Sequence, residues 1–264
     1  MKRWLPLTIL GLVSYLLALV LTVPAPHAYQ LVSGQLPLEF WGLSGNLWHG
    51  QAATVTVRDQ RIQDLRWRFD PTALVTARVA YHINAAPADG DISARVATRT
   101  GSSVMLRDVD ADVGADELVR LISRTRYPAT LGGRLRADIP EAGLADGRPG
   151  PLNGTVTWDD ASVSGFGETV TLGGFRLELE TPSPGSVRGT FSDNGNGPLQ
   201  VQGELALDPD GEVTGTADVA TTADAGEPLL QGMRALGIPE PEDDLRLEFS
   251  GNVNNPAGFT ARLQ

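Results

Sequence analysis

Cysteine is absent from all 264 residues, which excludes disulfides and thiolate metal centres. Lysine occurs once, as Lys2, so no glycine-rich phosphate loop with its lysine can be built in the body. The three histidines are His27, His49 and His82, and none sits in a metal-ligand or general-base pattern. His27 adjoins an apolar N-terminal run, whereas His49, in Trp48-His49-Gly50, suits either an exposed turn or a pocket. A nucleophile elbow is also missing, since Ser164-Gly165-Phe166-Gly167 departs from Gly-x-Ser-x-Gly. No catalytic, cofactor-binding or metal-ligating residue is therefore assigned.

Cations are scarce as well. The net charge is −11, and setting aside Lys2 and Arg3 leaves −13 on the remainder. So acidic a body disfavours nucleic acid and electrostatic docking on anionic headgroups. Arg58, Arg61, Arg66 and Arg68 form a local basic patch, readable as a solvated face or a partner surface. The acidic run Asp108-Val109-Asp110-Ala111-Asp112-Val113-Gly114 invites a calcium reading. An EF-hand loop needs glycine at position six and glutamate at position twelve, and here those positions hold Val113 and Val119. Strand alternation accounts for the run instead, with Val109, Ala111 and Val113 inward and the aspartates in water. Of five tryptophans, Trp4 suits an interfacial belt, while Trp41, Trp48, Trp67 and Trp158 suit packing on a sheet or a stacking surface. Asn153-Gly154-Thr155 matches a glycosylation acceptor, with nothing else pointing to a eukaryotic secretory protein.

One long hydrophobic run is present. Trp4 to Val23 carries no charge, and twenty helical residues span roughly 30 Å, about one bilayer core. Pro6 falls in its first turn, where a missing N–H costs little. Lys2 and Arg3 favour a cytoplasmic N-terminus and export of the residues beyond the run. The run is longer than a signal-peptide core, and Pro26 comes directly after the candidate cleavage site Val23-Pro24-Ala25. A retained anchor is expected rather than a cleaved signal.

Beyond it, thirty glycines and eighteen prolines punctuate short alternating stretches. Val104-Met105-Leu106, Arg134 to Ile139 and Arg176 to Glu180 read as strands with one wet face. Asp89-Gly90, Asp146-Gly147, Asn194-Gly195 and Asp208-Pro209-Asp210-Gly211 read as turns. Two segments predict helices: Asp116 to Thr125, with Leu118, Leu121 and Ile122 on one face, and Pro228 to Leu236, with Leu229, Leu230, Met233 and Leu236. The pattern also repeats once at an offset of about 110 residues. Ile62-x-x-Leu65-x-Trp67-x-Phe69 recurs as Leu172-x-x-Phe175-x-Leu177-x-Leu179, and Leu135-Arg136 with Ile139 recurs as Leu245-Arg246 with Phe249. The expected fold is mainly β: a curved antiparallel sheet of two similar units, each with one short helix, meeting at the glycine- and proline-rich residues 143–151.

The stretch Leu43-Ser44-Gly45-Asn46-Leu47-Trp48-His49-Gly50-Gln51-Ala52 resembles the type II secretion system protein N family, as does the Trp-containing strand Leu65-Arg66-Trp67-Arg68-Phe69-Asp70-Pro71. The resemblance implies a bacterial inner-membrane protein with cytoplasmic residues 1–3 and one span over 4–23. Periplasmic β-units then occupy 24–142 and 143–264, the second continuous with the first. It implies a non-enzymatic accessory component of the machine that exports folded proteins across the outer membrane, with other inner-membrane secretion components as partners. An AsmA-like lipid-handling module with an amphipathic β-trough is the alternative reading.

Overall fold

The computed structural model describes residues 24–32, 38–57, 60–98, 103–122, 129–145, 148–165, 168–223, 225–235, 245–252 and 255–263. The apolar run 4–23, Arg58 and the Asp146-Gly147 turn lie outside them. Among the described residues no helix is long and apolar enough to cross a membrane.

Among the described residues there are fifteen strands. They are β1 (Leu38–Trp41), β2 (Ser44–Gly45), β3 (His49–Val57), β4 (Gln60–Phe69), β5 (Val79–Ala85), β6 (Gly90–Thr98), β7 (Val104–Gly114) and β8 (Ala129–Ala145). After these come β9 (Arg148–Gly165), β10 (Glu168–Glu180), β11 (Val187–Asp193), β12 (Leu199–Leu207), β13 (Glu212–Thr221), β14 (Leu245–Asn252) and β15 (Asn255–Leu263). The described residues also hold three α-helices: α1 (Ala25–Val32), α2 (Ala115–Ile122) and α3 (Glu227–Ala235). A 3-10 helix covers Pro71–Thr76.

All strands join one antiparallel sheet in nearly sequential order, β1-β3-β4 and so on to β15, with the two-residue β2 paired to β3. A meander of this kind arises from turn-forming residues every few positions, which let each strand pair with its predecessor. The expected turns Asp89-Gly90, Asn194-Gly195 and Asp208 to Gly211 fall between paired strands. Of residues 143–151, the described ones belong to β8 and β9, which pair within the sheet as Leu144 with Pro149 and Ala145 with Arg148.

The two expected helices are α2 and α3, each opening on acidic residues that suit an N-terminus: Asp116 and Glu117 in α2, Glu227 in α3. Of their expected apolar faces, Leu229 and Met233 are buried, while the side chains of Leu121 and Ile122 and all of Leu236 lie outside the described part. α3 presses Leu229 and Met233 onto Ala217 and Val219 of β13, with Phe191 and Leu247 alongside. α2 lies against β7, β8 and β4.

α1 and the 3-10 helix are additions to the elements expected from sequence. In α1, Pro26 occupies the first turn, Ala25 is buried, and Tyr29 meets Phe40 edge-on at 5.1 Å. Buried apolar side chains are few and small. Among the described residues they are alanines and valines apart from Leu229 and Met233. The larger apolar groups are partly exposed, as expected of one sheet without a second layer across its whole breadth.

Candidate functional site

Because cross-strand partners point to the same side, register fixes which residues share a face. On one face a single polar row crosses the sheet: Ser44, Gln51, Arg66, Asn84, Ser93, Asp110 and Asp138 on β2 to β8. It continues as Thr155, Glu178, Thr190, Glu204, Thr216, Glu248 and Arg262 on β9 to β15. The opposite face carries an apolar row over β5 to β14: Ala85, Ile92, Ala111, Ala137, Val156 and Leu177, then Phe191, Gly203, Ala217 and Leu247. The sheet is therefore two-faced from β5 to β14.

An open groove of about 1460 Å³ lies over β3 to β6. His49, Arg66, Arg68, His82, Asn84 and Arg95 all line it, so two of the histidines and half of the expected arginine patch come together. Arg61 sits apart, in a smaller depression with Glu39 and Trp41. Below the groove lies a carboxylate that sequence pattern alone does not single out, Asp70. It is buried, accepts from the Thr72 backbone N–H at 2.9 Å and the Thr72 hydroxyl at 2.5 Å, and is bonded by the Arg95 guanidinium. The Thr72 hydrogen bonds, aided by Arg95, hold the carboxyl below the ordinary 3.8 although burial pushes the other way. His82 Nε2 stands 3.7 Å away, but the carboxylate is already occupied by Thr72 and Arg95. Asp70 is the N-cap of the 3-10 helix, with Pro71 inside its first turn. The adjacent Asp-Pro is the sequence signal that marks it.

The acidic run lies on β7 as alternation predicted, with Val113 buried, Val109 and Ala111 half-buried and Asp110 exposed. Asp112 is the centre of an ion ladder. Arg134 Nη1 donates to it at 2.7 Å and Arg136 Nε at 3.2 Å, while Arg134 also reaches Asp89 and Arg136 reaches Asp159. Hydrogen bonding from Arg134 is the leading cause of its lowered pKa. Among the described residues no group of three or more ligand-type side chains could hold a metal. Ser164 shares a hydrogen bond with Thr169 across a turn, and Asn153 Oδ1 accepts from the Thr181 N–H.

Three of the four described tryptophans serve the sheet. Trp67 Nε1 donates to the Asn46 carbonyl, Trp158 Nε1 to the Gly132 carbonyl, and Trp48 meets Phe69 edge-on at 4.6 Å; Trp41 is exposed. These contacts explain the Leu43 to Ala52 motif. Asn46 Oδ1 caps the tight β2–β3 turn by accepting from the Trp48 and His49 N–H groups at 3.0 and 2.8 Å. Gly45, at φ +91°, lies so close to β3 that a Cβ would come within 2.6 Å of the Gly50 Cα. Gly50 in turn leaves room for the Trp67 ring.

A family model described as "Type II secretion system (T2SS), protein N" matches residues 37–248, which include this whole motif and α3. The chain belongs to that family. It is similar to the "Type II secretion system protein N" of Aeromonas hydrophila, 26% identical over 271 residues, covering 96% of this chain and all of the relative. No solved structure matches. For this member of the T2SS protein N family, the motif residues shared with the resemblance are turn and packing residues. Family membership makes the chain a component of type II secretion.

Proposed function

We propose that the chain is a non-enzymatic accessory or scaffold component of the type II secretion system, supporting export of folded proteins from the periplasm across the outer membrane. Residues 4–23 tether it to the inner membrane with residues 1–3 in the cytoplasm, and the sheet stands in the periplasm beside the other inner-membrane components of the machine. The family match over residues 37–248 carries this reading. The uncharged run and its flanking Lys2 and Arg3 support the tether, and the broad two-faced sheet offers surface without converging reactive groups. Crosslinking in membranes of cells that express the system is the test. Secretion subunits should co-purify with the chain, and deletion should leave exported proteins in the periplasm. Recovery without any secretion subunit would reject the reading.

The recurring order of elements supports a duplication over 24–142 and 143–264. β4-β5-β6-β7-α2-β8 is succeeded by β10-β11-β12-β13-α3-β14, with α2 against β4 and α3 against β10. A second reading, lipid handling, draws on the continuous apolar row. Photocrosslinkers at Leu177 and Leu247, both in that row, should capture phospholipid or lipopolysaccharide if it applies, and no lipid adduct if it does not.

A further inference from the structure

The exposed large apolar side chains are not scattered. Six of the seven among the described residues, Leu47, Leu74, Val75, Val79, Val104 and Leu144, gather along one end of the sheet; Trp41 is the exception. Val79, Thr98, Val104 and Leu144 are cross-strand partners in a single row on β5 to β8. Leu74 and Val75, 55% and 89% exposed, stand at the same end on the 3-10 helix, which packs through Ala73 on Ala80 and Ala97 on the other face of these strands.

That helix is built to present them. Ala73 packs on Ala80 and Ala97, Asp70 caps the N-terminal end, and Ala77 closes the other end in a left-handed conformation at φ 52°. With the turn so fixed, Leu74 and Val75 project into solvent rather than folding back. Pinning apolar groups outward on a buried ion-paired cap opposes the ordinary hydrophobic effect, and so points to a non-aqueous partner.

The position of the tether identifies that partner. Pro24, the first residue after the apolar run, bridges Asn46. Asn46 donates its N–H to the His49 carbonyl across the β2–β3 turn and so lies level with His49, Arg68 and His82, three residues inside the level of Val79. The chain therefore joins the sheet at the same end as the apolar row, about 10 Å inside it, and the row itself extends three strand spacings, roughly 14 Å, over β5 to β8. The acidic body would be repelled by anionic headgroups, but this band is different. Among its described residues the carboxylate is Asp70, buried against Arg95, and Arg78 adds a cation.

We propose that this rim rests in the bilayer interface, Leu74 and Val75 inserting beside the Val79–Val104–Leu144 edge, so that the sheet is seated on the membrane at two places. The proposal rests on the tether reading above. It sets the sheet's strands across the membrane plane instead of leaving the body to swing on its anchor.

The absence of cysteine makes the test direct. Full-length chain carrying Val75→Cys, Leu144→Cys or Asn196→Cys, the last at the opposite end, is labelled with an environment-sensitive fluorophore. It is then reconstituted in nanodiscs of phosphatidylethanolamine and phosphatidylglycerol with brominated acyl chains. Probes at 75 and 144 should shift to the blue and lose fluorescence roughly twofold, as expected at an interfacial depth of about 5–10 Å, while the probe at 196 stays unquenched. An unquenched probe at 75 on a chain that resists carbonate extraction would overturn the rim and leave the tether standing. Release of the chain by carbonate would overturn both. A blue-shifted but unquenched probe at 75 would mean a protein partner, and equal quenching at 196 a sheet lying flat; either defeats the proposal.

Discussion

A methyl group added at Gly50 would collide with the Trp67 ring and the Ser44 carbonyl, both fixed by the β2–β3 turn. Gly50→Ala should therefore cost about 1–3 kcal/mol through overpacking, read as a lower urea midpoint. Gly232 is the opposite case. It sits inside α3, exposed, with nothing within 4 Å of its missing Cβ. Gly232→Ala should raise stability by about 0.5–1 kcal/mol, because the unfolded chain loses more freedom and the helix gains a better former. A neutral Gly50→Ala would mean that the Asn46–Trp67 cradle gives way easily.

At the scale of elements, much of the fold was legible because solvent imposes a period of two on a one-layer sheet. Arg176 to Glu180 alternates in sequence and in burial alike. What the pattern hid are the places where alternation resets. Asp64, Asp108 and Asp160 adopt left-handed backbone at φ 48°, 49° and 51°, and each puts two outward residues between inward ones, as in Ile62-x-x-Leu65. An apolar spacing of three reads as a helical hint or as noise until the backbone is seen. The 3-10 helix was missed for a related reason: six residues carry no period, and its Asp-Pro start is too short a signal to stand alone. The groove was half legible. Arg66 and Arg68 could be paired from alternation, but His49, His82 and Arg95 join them only through register.

Register also sets the acid response. Asp112 and Asp218 are held below 3.8, chiefly by hydrogen bonds from Arg134 and Arg246. A depressed carboxyl stabilises the fold above its ordinary value, and the contribution is lost as pH falls through the folded value. The urea midpoint should thus stay flat from neutral pH to about pH 5 and decline below about pH 4. Asp112→Asn with Asp218→Asn should flatten that decline while lowering the neutral-pH midpoint. An unchanged acid slope in the double variant would show that these ladders are screened to insignificance.

On the scale of the whole molecule, a meander without a common core makes each strand depend mainly on its two neighbours, as in repeat proteins. Stability should then be graded across the sheet. The longest strands, β8 with 17 residues and β9 with 18, lie at its middle, whereas β1 has 4 and pairs on one side only. Hydrogen exchange should be slowest in β8 and β9 and quicken toward both edges. Amides of β1 and β15 should exchange roughly tenfold or more faster, the equivalent of about 1.4 kcal/mol. An exposed edge strand is also a ready site for pairing with another chain, so the same measurement bears on partnership. In the isolated chain the gradient should fall away on both sides. In membranes containing the assembled secretion system, selective slowing at one edge would mark the strand that a partner covers. Uniform protection of the isolated chain from β1 to β15 would defeat the graded picture, since it requires the sheet to open only as a single cooperative unit.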